Sequence, residues 1–273
     1  MPELPEVEVL RRSLEPRLVG RRIERVEVRA PALREPLNRR ALGRLKGRRI
    51  EGLRRRAKYL LIDLEGRSTL VIHLGMSGRF TVAPPGAPVE THEHLAFHLG
   101  AEGRLRLVDP RRFGLAFARP TAKLSDDGHF AHLGVEPLSD ELTPEYLRAQ
   151  ASRRRGPVKG FLMDARVVVG VGNIYACEAL WQSGVHPKRS VARIAAGRWG
   201  ELAEAVRGVL RRAIEEGGTT LNDFTDGEGN AGYFQVSLAA YGREHEPCLR
   251  CGRPIRRIVQ SGRSTFYCPG CQR

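Results

Sequence analysis

Two groups of residues carry chemistry on their face. The chain opens Met1-Pro2-Glu3-Leu4-Pro5-Glu6-Val7-Glu8. A small second residue permits removal of the initiator methionine, which would leave Pro2 with a free secondary amine. An α-amino group titrates near pH 8, roughly two units below lysine, so a useful fraction is nucleophilic at neutral pH. Proline suits the first turn of a helix, and there the positive end of the helix dipole disfavours the ammonium form further. Glu3 and Glu6 lie three apart, on one face of such a helix and beside that amine. An amine with adjacent carboxylates is what Schiff-base chemistry on a sugar aldehyde requires. The same residues are also ordinary helix-initiation chemistry, and the local pattern alone leaves both readings open.

The second group is Cys248-Leu-Arg-Cys251 and Cys268-Pro-Gly-Cys271, two C-x2-C pairs with 16 residues between them. Each pair sits on a tight turn, so four thiolates can close a tetrahedron around one zinc ion. Two disulfides are the alternative, which a chain without a secretion signal makes the weaker reading. A closed four-thiolate site is structural, because no coordination position remains for water. The intervening segment reads as a hairpin, Ile255 to Val259, a turn at Ser261-Gly262, then Ser264 to Tyr267. Its arginines (Arg253, Arg256, Arg257, Arg263) would make the contacts. Cys177, in a predicted helix, reads as a small packed apolar residue.

These groups need a scaffold, and 273 residues supply roughly two domains of it. With 41% hydrophobic and 28% charged residues the composition is that of a globular protein. No run approaches the roughly 18 apolar residues of a membrane span, and no apolar h-region follows the N-terminus, so a secreted, membrane or collagen-like protein is not expected. Residues 20 to 118 read as short strands: Ile23–Val28, Ile50–Leu53, Leu60–Leu64, Leu70–Leu74, Leu95–Leu99 and Leu105–Val108. Close spacing and intervening turns favour an antiparallel sandwich or barrel. Helices are predicted over Pro144–Ser152, Val158–Asp164, Ile174–Gln182 and Trp199–Glu216. The Gly- and Asp-rich stretch from Leu221 to Tyr233 reads as a loop, and no internal repeat is present.

Net charge is +15, and between Arg11 and Lys58 there are 18 basic against 5 acidic residues, a local net of +13. A surplus of arginine suits a polyanion, because the planar guanidinium offers phosphate two hydrogen bonds at once. The bland alternative is arginine standing in for lysine on solvated faces.

The start Pro2-Glu3-Leu4-Pro5-Glu6-Val7-Glu8, the cysteine tail and Gly170-Val-Gly-Asn173-Ile-Tyr175-Ala176 together resemble one family over essentially the whole chain, bacterial formamidopyrimidine-DNA glycosylase. The resemblance implies base-excision repair of 8-oxoguanine and ring-opened purines in duplex DNA. Pro2 would be the nucleophile at the sugar carbon, Glu3 the general acid/base, Glu6 a supporting carboxylate, and Lys58 the lysine near the lesion phosphate. Met76, Arg111 and Phe113 would fill the void left by the extruded nucleotide. His73, His92, Lys159, Asn173, Tyr241 and Arg263 match DNA-contacting positions. His92 and His94 both lie where the family has one such histidine, and the sequence does not choose between them. Ser77 departs from an acidic residue of several relatives, and the 221–233 stretch matches the base-recognition loop in place only.

The reading is therefore an α+β multidomain chain. Residues 1–130 form an N-terminal catalytic antiparallel β-sandwich with flanking helices. Residues 131–234 form a helical domain with a helix–two-turn–helix module, and residues 235–273 a zinc β-hairpin. The resemblance places duplex DNA in the cleft between the domains. Its implied partner is damaged double-stranded DNA, its cofactor one structural zinc, with no membrane and no nucleotide cofactor; a cytoplasmic, nucleoid-associated monomer is the simplest expectation. Two rivals remain: an endonuclease VIII-type glycosylase for oxidised pyrimidines, and a non-enzymatic zinc-finger DNA-binding protein, which would leave the Pro2-Glu3 arrangement without a purpose.

Overall fold

The computed structural model describes residues 2–219 and 237–273. These divide into two compact units, residues 2–131 with 216–219, and residues 132–215 with 237–273. The predicted loop at 221–233 lies outside the described residues.

In the first unit, α1 (Leu4–Leu18) buries Leu4, Val7, Leu10, Leu14 and Leu18, the three-and-four spacing of one helix face. Glu3 is its N-cap and Pro5 the proline of its first turn. Pro2 thus lies one residue before the cap, not within the first turn as the sequence suggested. The strands are β1 (Arg25–Val28), β2 (Ile50–Arg56), β3 (Tyr59–Leu64), β4 (Ser68–His73), β5 (Arg79–Ala83), β6 (Glu93–His98), β7 (Arg104–Val108) and β8 (Leu115–Pro120), with the short α2 (Arg39–Gly43) after β1. They form two four-stranded sheets, ordered β1-β6-β7-β5 and β2-β3-β4-β8, and every pairing is antiparallel.

Leu60, Ile62 and Leu64 of β3 join Leu70 and Ile72 of β4, Phe97 of β6, Leu105 of β7 and the apolar face of α1 in one core. The alternate residues Leu61 and Val71 face the other way and pack with Leu115, Phe117 and Leu124. Both faces of β3 and β4 are therefore covered, which is why these strands read as continuous apolar runs instead of alternating.

In the second unit, α3 (Pro144–Ala151), α4 (Val158–Leu162), α5 (Asn173–Ser183) and α6 (Arg198–Glu215) are followed by the hairpin β9 (Arg256–Gln260) and β10 (Arg263–Tyr267). Trp199, Leu202, Val206, Val209, Leu210 and Ala213 form the buried stripe of α6. The hairpin turn is Ser261-Gly262, with φ +48° and +72°, the left-handed pair that matches strand twist. β10 packs on α5, so the described part of 237–273 belongs to the same unit as the helices.

Candidate active site and nucleic-acid interface

At the start of α1 the two carboxylates have different tasks. Glu6 Oε2 accepts the Glu3 backbone N–H at 2.6 Å, and the Glu3 side chain accepts the Glu6 N–H in return. Glu6 Oε1 also accepts the Thr219 N–H at 2.9 Å. Both residues are 2% exposed, and Pro2 is buried beside them. This capping box satisfies helix-end donors and fixes the backbone that aims the Pro2 nitrogen. Glu6 uses both oxygens to hold backbone, and Glu3, which accepts one backbone N–H in return, directly follows Pro2 in the chain.

Lys58 lies in the two-residue turn between β2 and β3, whose first residue, Ala57, adopts the left-handed region with φ +54°. Arg55 braces that turn: its Nε donates to Glu8 Oε2 of α1 at 3.2 Å and its Nη1 to the Ala57 carbonyl at 3.1 Å. The lysine is thereby tied to the helix that carries Glu3. His73 closes β4 opposite Tyr59, with ring centroids 4.9 Å apart. Its Nδ1 accepts the Gly75 N–H at 3.0 Å, so a neutral ring carries its proton on Nε2. Burial, reinforced by the positive charges of Arg34, Lys58 and His129, lowers the His73 pKa to about 3.

The expected void-filling residues sit on two loops stapled together. Asp109 is fully buried; its Oδ1 accepts from Ser77 Oγ at 2.7 Å and its Oδ2 from the Gly114 N–H at 2.7 Å. Ser77 Oγ in turn accepts the Arg111 N–H at 3.3 Å. Gly75 has φ +64°, and a Cβ there would lie 2.3 Å from the Phe113 carbonyl carbon, so only glycine permits the approach. On this frame Met76 and Phe113 remain 43% and 42% exposed, and the Arg111 guanidinium lies over the Phe113 ring at 4.8 Å. Ser77 thus serves as a brace. Of the two ambiguous histidines, His94 is buried with Nε2 at 2.9 Å from the Asp109 carbonyl oxygen, whereas His92 is exposed at φ +67°. His92 is the one available to a ligand.

In the second unit, Lys159 and Asn173, expected at DNA-contacting positions, are bonded to the hairpin. Lys159 is 2% exposed, and its Nζ donates to Asn173 Oδ1 at 2.5 Å and Thr265 Oγ1 at 2.6 Å. Asn173 Nδ2 donates to the Ser264 carbonyl at 2.9 Å. The physical reason is local: α4, the N-terminus of α5 and β10 meet here, and a buried ammonium takes the acceptors within reach. Arg263 is exposed and, with Lys188 and Gln260, lines a cavity of about 620 Å³ beside Lys159. Tyr241 packs on Phe266 of β10 at 5.1 Å. Its backbone N–H, with those of Ala239 and Ala240, donates to the buried carboxylate of Glu178 at 2.7 to 2.9 Å. Burial pushes the Glu178 pKa up against those three donors.

The four expected cysteines come together. All four Sγ atoms lie within 4.8 Å of one another, with Cys251–Cys268 at 3.4 Å and Cys248–Cys271 at 3.9 Å. Disulfide sulfurs would be about 2 Å apart. A tetrahedron with Zn–S near 2.3 Å requires about 3.8 Å between sulfurs, so the thiol set fits zinc. Burial opposes ionisation of Cys248, yet the Arg250 and Cys251 N–H groups and the Trp181 indole bring its pKa down to about 6.

Sequence reasoning missed Asp109, Glu178 and Arg55 as positioning residues. Only the Asp109-Pro110 dipeptide, a turn-initiating pair, carried a local signal.

Three family descriptions match in order: Formamidopyrimidine-DNA glycosylase N-terminal domain over residues 1–116, its H2TH domain over 133–225, and the zinc finger found in FPG and IleRS over 246–273. The chain is 51% identical to formamidopyrimidine-DNA glycosylase of Acidithiobacillus ferrooxidans and 48% to that of Ruegeria pomeroyi, with full coverage of both sequences in each case. Among solved structures it is similar to a point mutant of Lactococcus lactis FPG in complex with a Fapy-dG containing DNA, with TM-score 0.93, 32% identity and full coverage of both chains. It is also similar to the MutM (FPG) protein of Thermus thermophilus, with TM-score 0.89, 39% identity, and 99% and 98% of the two chains covered.

Proposed function

The chain belongs to the formamidopyrimidine-DNA glycosylase family, and from that premise we propose how its own residues act. It is a DNA glycosylase of base-excision repair for oxidised purines, with the family's strand-cutting lyase activity and one structural zinc. Pro2, once Met1 is removed, attacks the sugar C1′; the glycosidic bond breaks and the base leaves with its bonding electrons and a proton. Glu3 protonates the ring oxygen, the sugar opens, and loss of the amine proton gives the Schiff base. Elimination at C3′ and then C5′ expels both flanking phosphates.

Lys58, His73 and His92 contact backbone near the lesion, with neutral His73 donating through Nε2. Met76 and Phe113 wedge into the stack, and Arg111 faces the orphaned cytosine. Arg263 grips phosphate from the zinc hairpin, with Tyr241 beside it. Lys159 and Asn173 act by holding that hairpin against the helices. We extend the reading to a monomer acting on cellular DNA without a nucleotide cofactor, since hydrolysis and elimination transfer no electrons or phosphoryl groups overall. Among the described residues, no helix is long and apolar enough to cross a membrane.

The observation that carries this reading is the reciprocal Glu3–Glu6 cap at the base of α1, with Pro2 immediately before it. Borohydride trapping on a duplex with 8-oxoguanine opposite cytosine tests it, using protein with Met1 confirmed removed. A covalent adduct at Pro2, absent in Pro2→Gly and diminished in Glu3→Gln, is the expected result. Binding without adduct or strand cut would overturn the assignment, and preference for thymine glycol would transfer the substrate to oxidised pyrimidines.

A further inference from the structure

The first unit holds more positive charge than its proposed lesion contacts use. Between Arg39 and Arg49, six of eleven residues are basic and none is acidic, and none of them is among the residues assigned to the lesion. Strand register shows where this charge lies. β3 pairs with β4 from Tyr59–His73 at one end to Leu64–Ser68 at the other, and β8 runs alongside from Leu115 beside His73 to Pro120 beside Ser68. Five residue steps at about 3.3 Å separate the two ends by about 17 Å. Lys58, His73 and the wedge loops belong to the first end. At the other end, Arg44, Arg48, Arg67 and Arg119 line a cavity of about 200 Å³ together with Ser68.

Arg48 is held in place there. Its Nε donates to the Arg44 carbonyl at 3.1 Å, and its Nη1 to the Glu65 carbonyl at 3.0 Å and Ser68 Oγ at 2.7 Å. Arg119 pairs with Asp127 at 3.1 Å. Arg44 and Arg67 are exposed and form no ion pair among the described residues. The β1-β6-β7-β5 sheet offers the contrast: Arg25, Arg29, Arg104 and Arg106 each meet a glutamate. Carboxylates neutralise every one of those guanidinium groups, whereas of the four that line this cavity only Arg119 has such a partner among the described residues. Arg39 and Arg40 of α2 and Lys46 just after it, on the same segment as Arg44 and Arg48, are exposed as well.

We propose that this end of the sandwich binds backbone phosphates of a second nucleic-acid segment, separate from the stretch that holds the lesion. Guanidinium forks match phosphate oxygens, a preordered arginine loses little freedom on binding, and a chain segment with six cations in eleven residues suits a polymer better than a lone anion. The identity of the polymer rests on the DNA-repair reading; the site itself does not. Its consequence is direct transfer between DNA segments, with one segment engaged before the other is released.

The test uses full-length, zinc-loaded protein and the double variant Arg44→Gln/Arg67→Gln, leaving Arg48 intact. Dissociation from a labelled undamaged duplex is followed as unlabelled duplex is added. The native off-rate is expected to rise with competitor concentration, and the variant's to rise several-fold less steeply. The salt slope of binding to a long duplex should fall by about two in the variant. Excision from a short lesion duplex should be unchanged. Equal competitor dependence and equal salt slopes would overturn the proposal. So would acceleration by polyglutamate but not by DNA, which points to an acidic protein, or phosphorus NMR shifts of inorganic phosphate with no competitor effect, which point to a free anion. Undamaged DNA keeps this outcome distinguishable from failure of the glycosylase assignment, which only the lesion duplex reads.

Discussion

In the first unit the proposed wedge residues stand clear of the core, while in the second the cationic and amide groups at the helix ends turn inward. Met76 and Phe113 are more than two-fifths exposed on loops braced from beneath by Asp109, whereas Lys159 is 2% exposed and bonded to Asn173 and Thr265. The contrast separates two ways of serving a ligand. An exposed apolar side chain on a rigid frame contributes little to folding and is free to enter a base stack. A buried ammonium that joins two helices to a hairpin holds the hairpin in place, and its loss is felt first in the fold. Substitutions in the two regions should therefore divide along stability and activity.

The largest effect should come from the metal. Structural zinc contributes on the order of 10 kcal/mol in small domains, and the cluster around Ile255, Phe266 and the cysteines is small. Chelation, or Cys268→Ser, is expected to abolish DNA binding and the calorimetric transition of the second unit while preserving that of the first. Unchanged melting of the second unit without metal would break the contrast, because its core would then hold the hairpin unaided. Lys159→Ala comes next. It leaves Asn173 Oδ1 and Thr265 Oγ1 without their donor, for a loss of about 3 kcal/mol. Denaturant unfolding would measure this, and Lys159→Arg should restore part of the stability. Lost binding with unchanged stability would show that this lysine serves DNA directly.

What was legible in the sequence follows the same division. Spacing along one segment displayed the cysteine pairs, the closeness of Glu3 and Glu6 and the α6 stripe, because the groups are only a few residues apart, while the reciprocal cap between the two glutamates emerged from the structure. β5 and β8 were not read: Leu115-Ala-Phe117 is buried on both faces and shows no alternation, and α2, at five residues, is too short for a helical period. The groups that position the site were hidden because they act across the fold. Glu6 meets Thr219 at a separation of 213 residues, and Lys159 meets Thr265 at 106. Sequence shows the charge of Lys159 but not the acceptors on Asn173 and Thr265 that the fold brings to it.

His73 is the intermediate case, a half-buried residue of the first unit. Its folded-state pKa, about 3, lies below the ordinary value near 6.5, so the unfolded chain binds the proton first as pH falls. The stability of the neutral ring is complete above pH 6.5, declines through the window below it and is fully lost once pH passes about 3. At pH 5 the loss is about 2 kcal/mol at 1.36 kcal/mol per unit. His73→Asn should flatten the dependence of melting temperature on pH between 7 and 5. An unchanged slope would assign that dependence to other groups.

The smallest effect on folding belongs to the proposed wedge. Phe113→Ala removes a ring already 42% exposed, whose neighbour is the Arg111 guanidinium at 4.8 Å. Stability should change by less than about 1 kcal/mol, well short of the roughly 3–5 kcal/mol typical of a buried phenylalanine. Excision should fall much further, because unstacking a base pair costs a few kcal/mol and nothing would then fill the void. Cleavage of a preformed abasic site, where no base has to leave, should be less affected than removal of 8-oxoguanine from a paired duplex. The ratio of the two rates isolates the wedge from folding, since a destabilised protein would lose both in proportion. A proportional loss in Phe113→Ala would mean that Phe113 supports the loop frame, as Asp109 does, and that the exposed and buried regions of this protein are less distinct than their surfaces suggest.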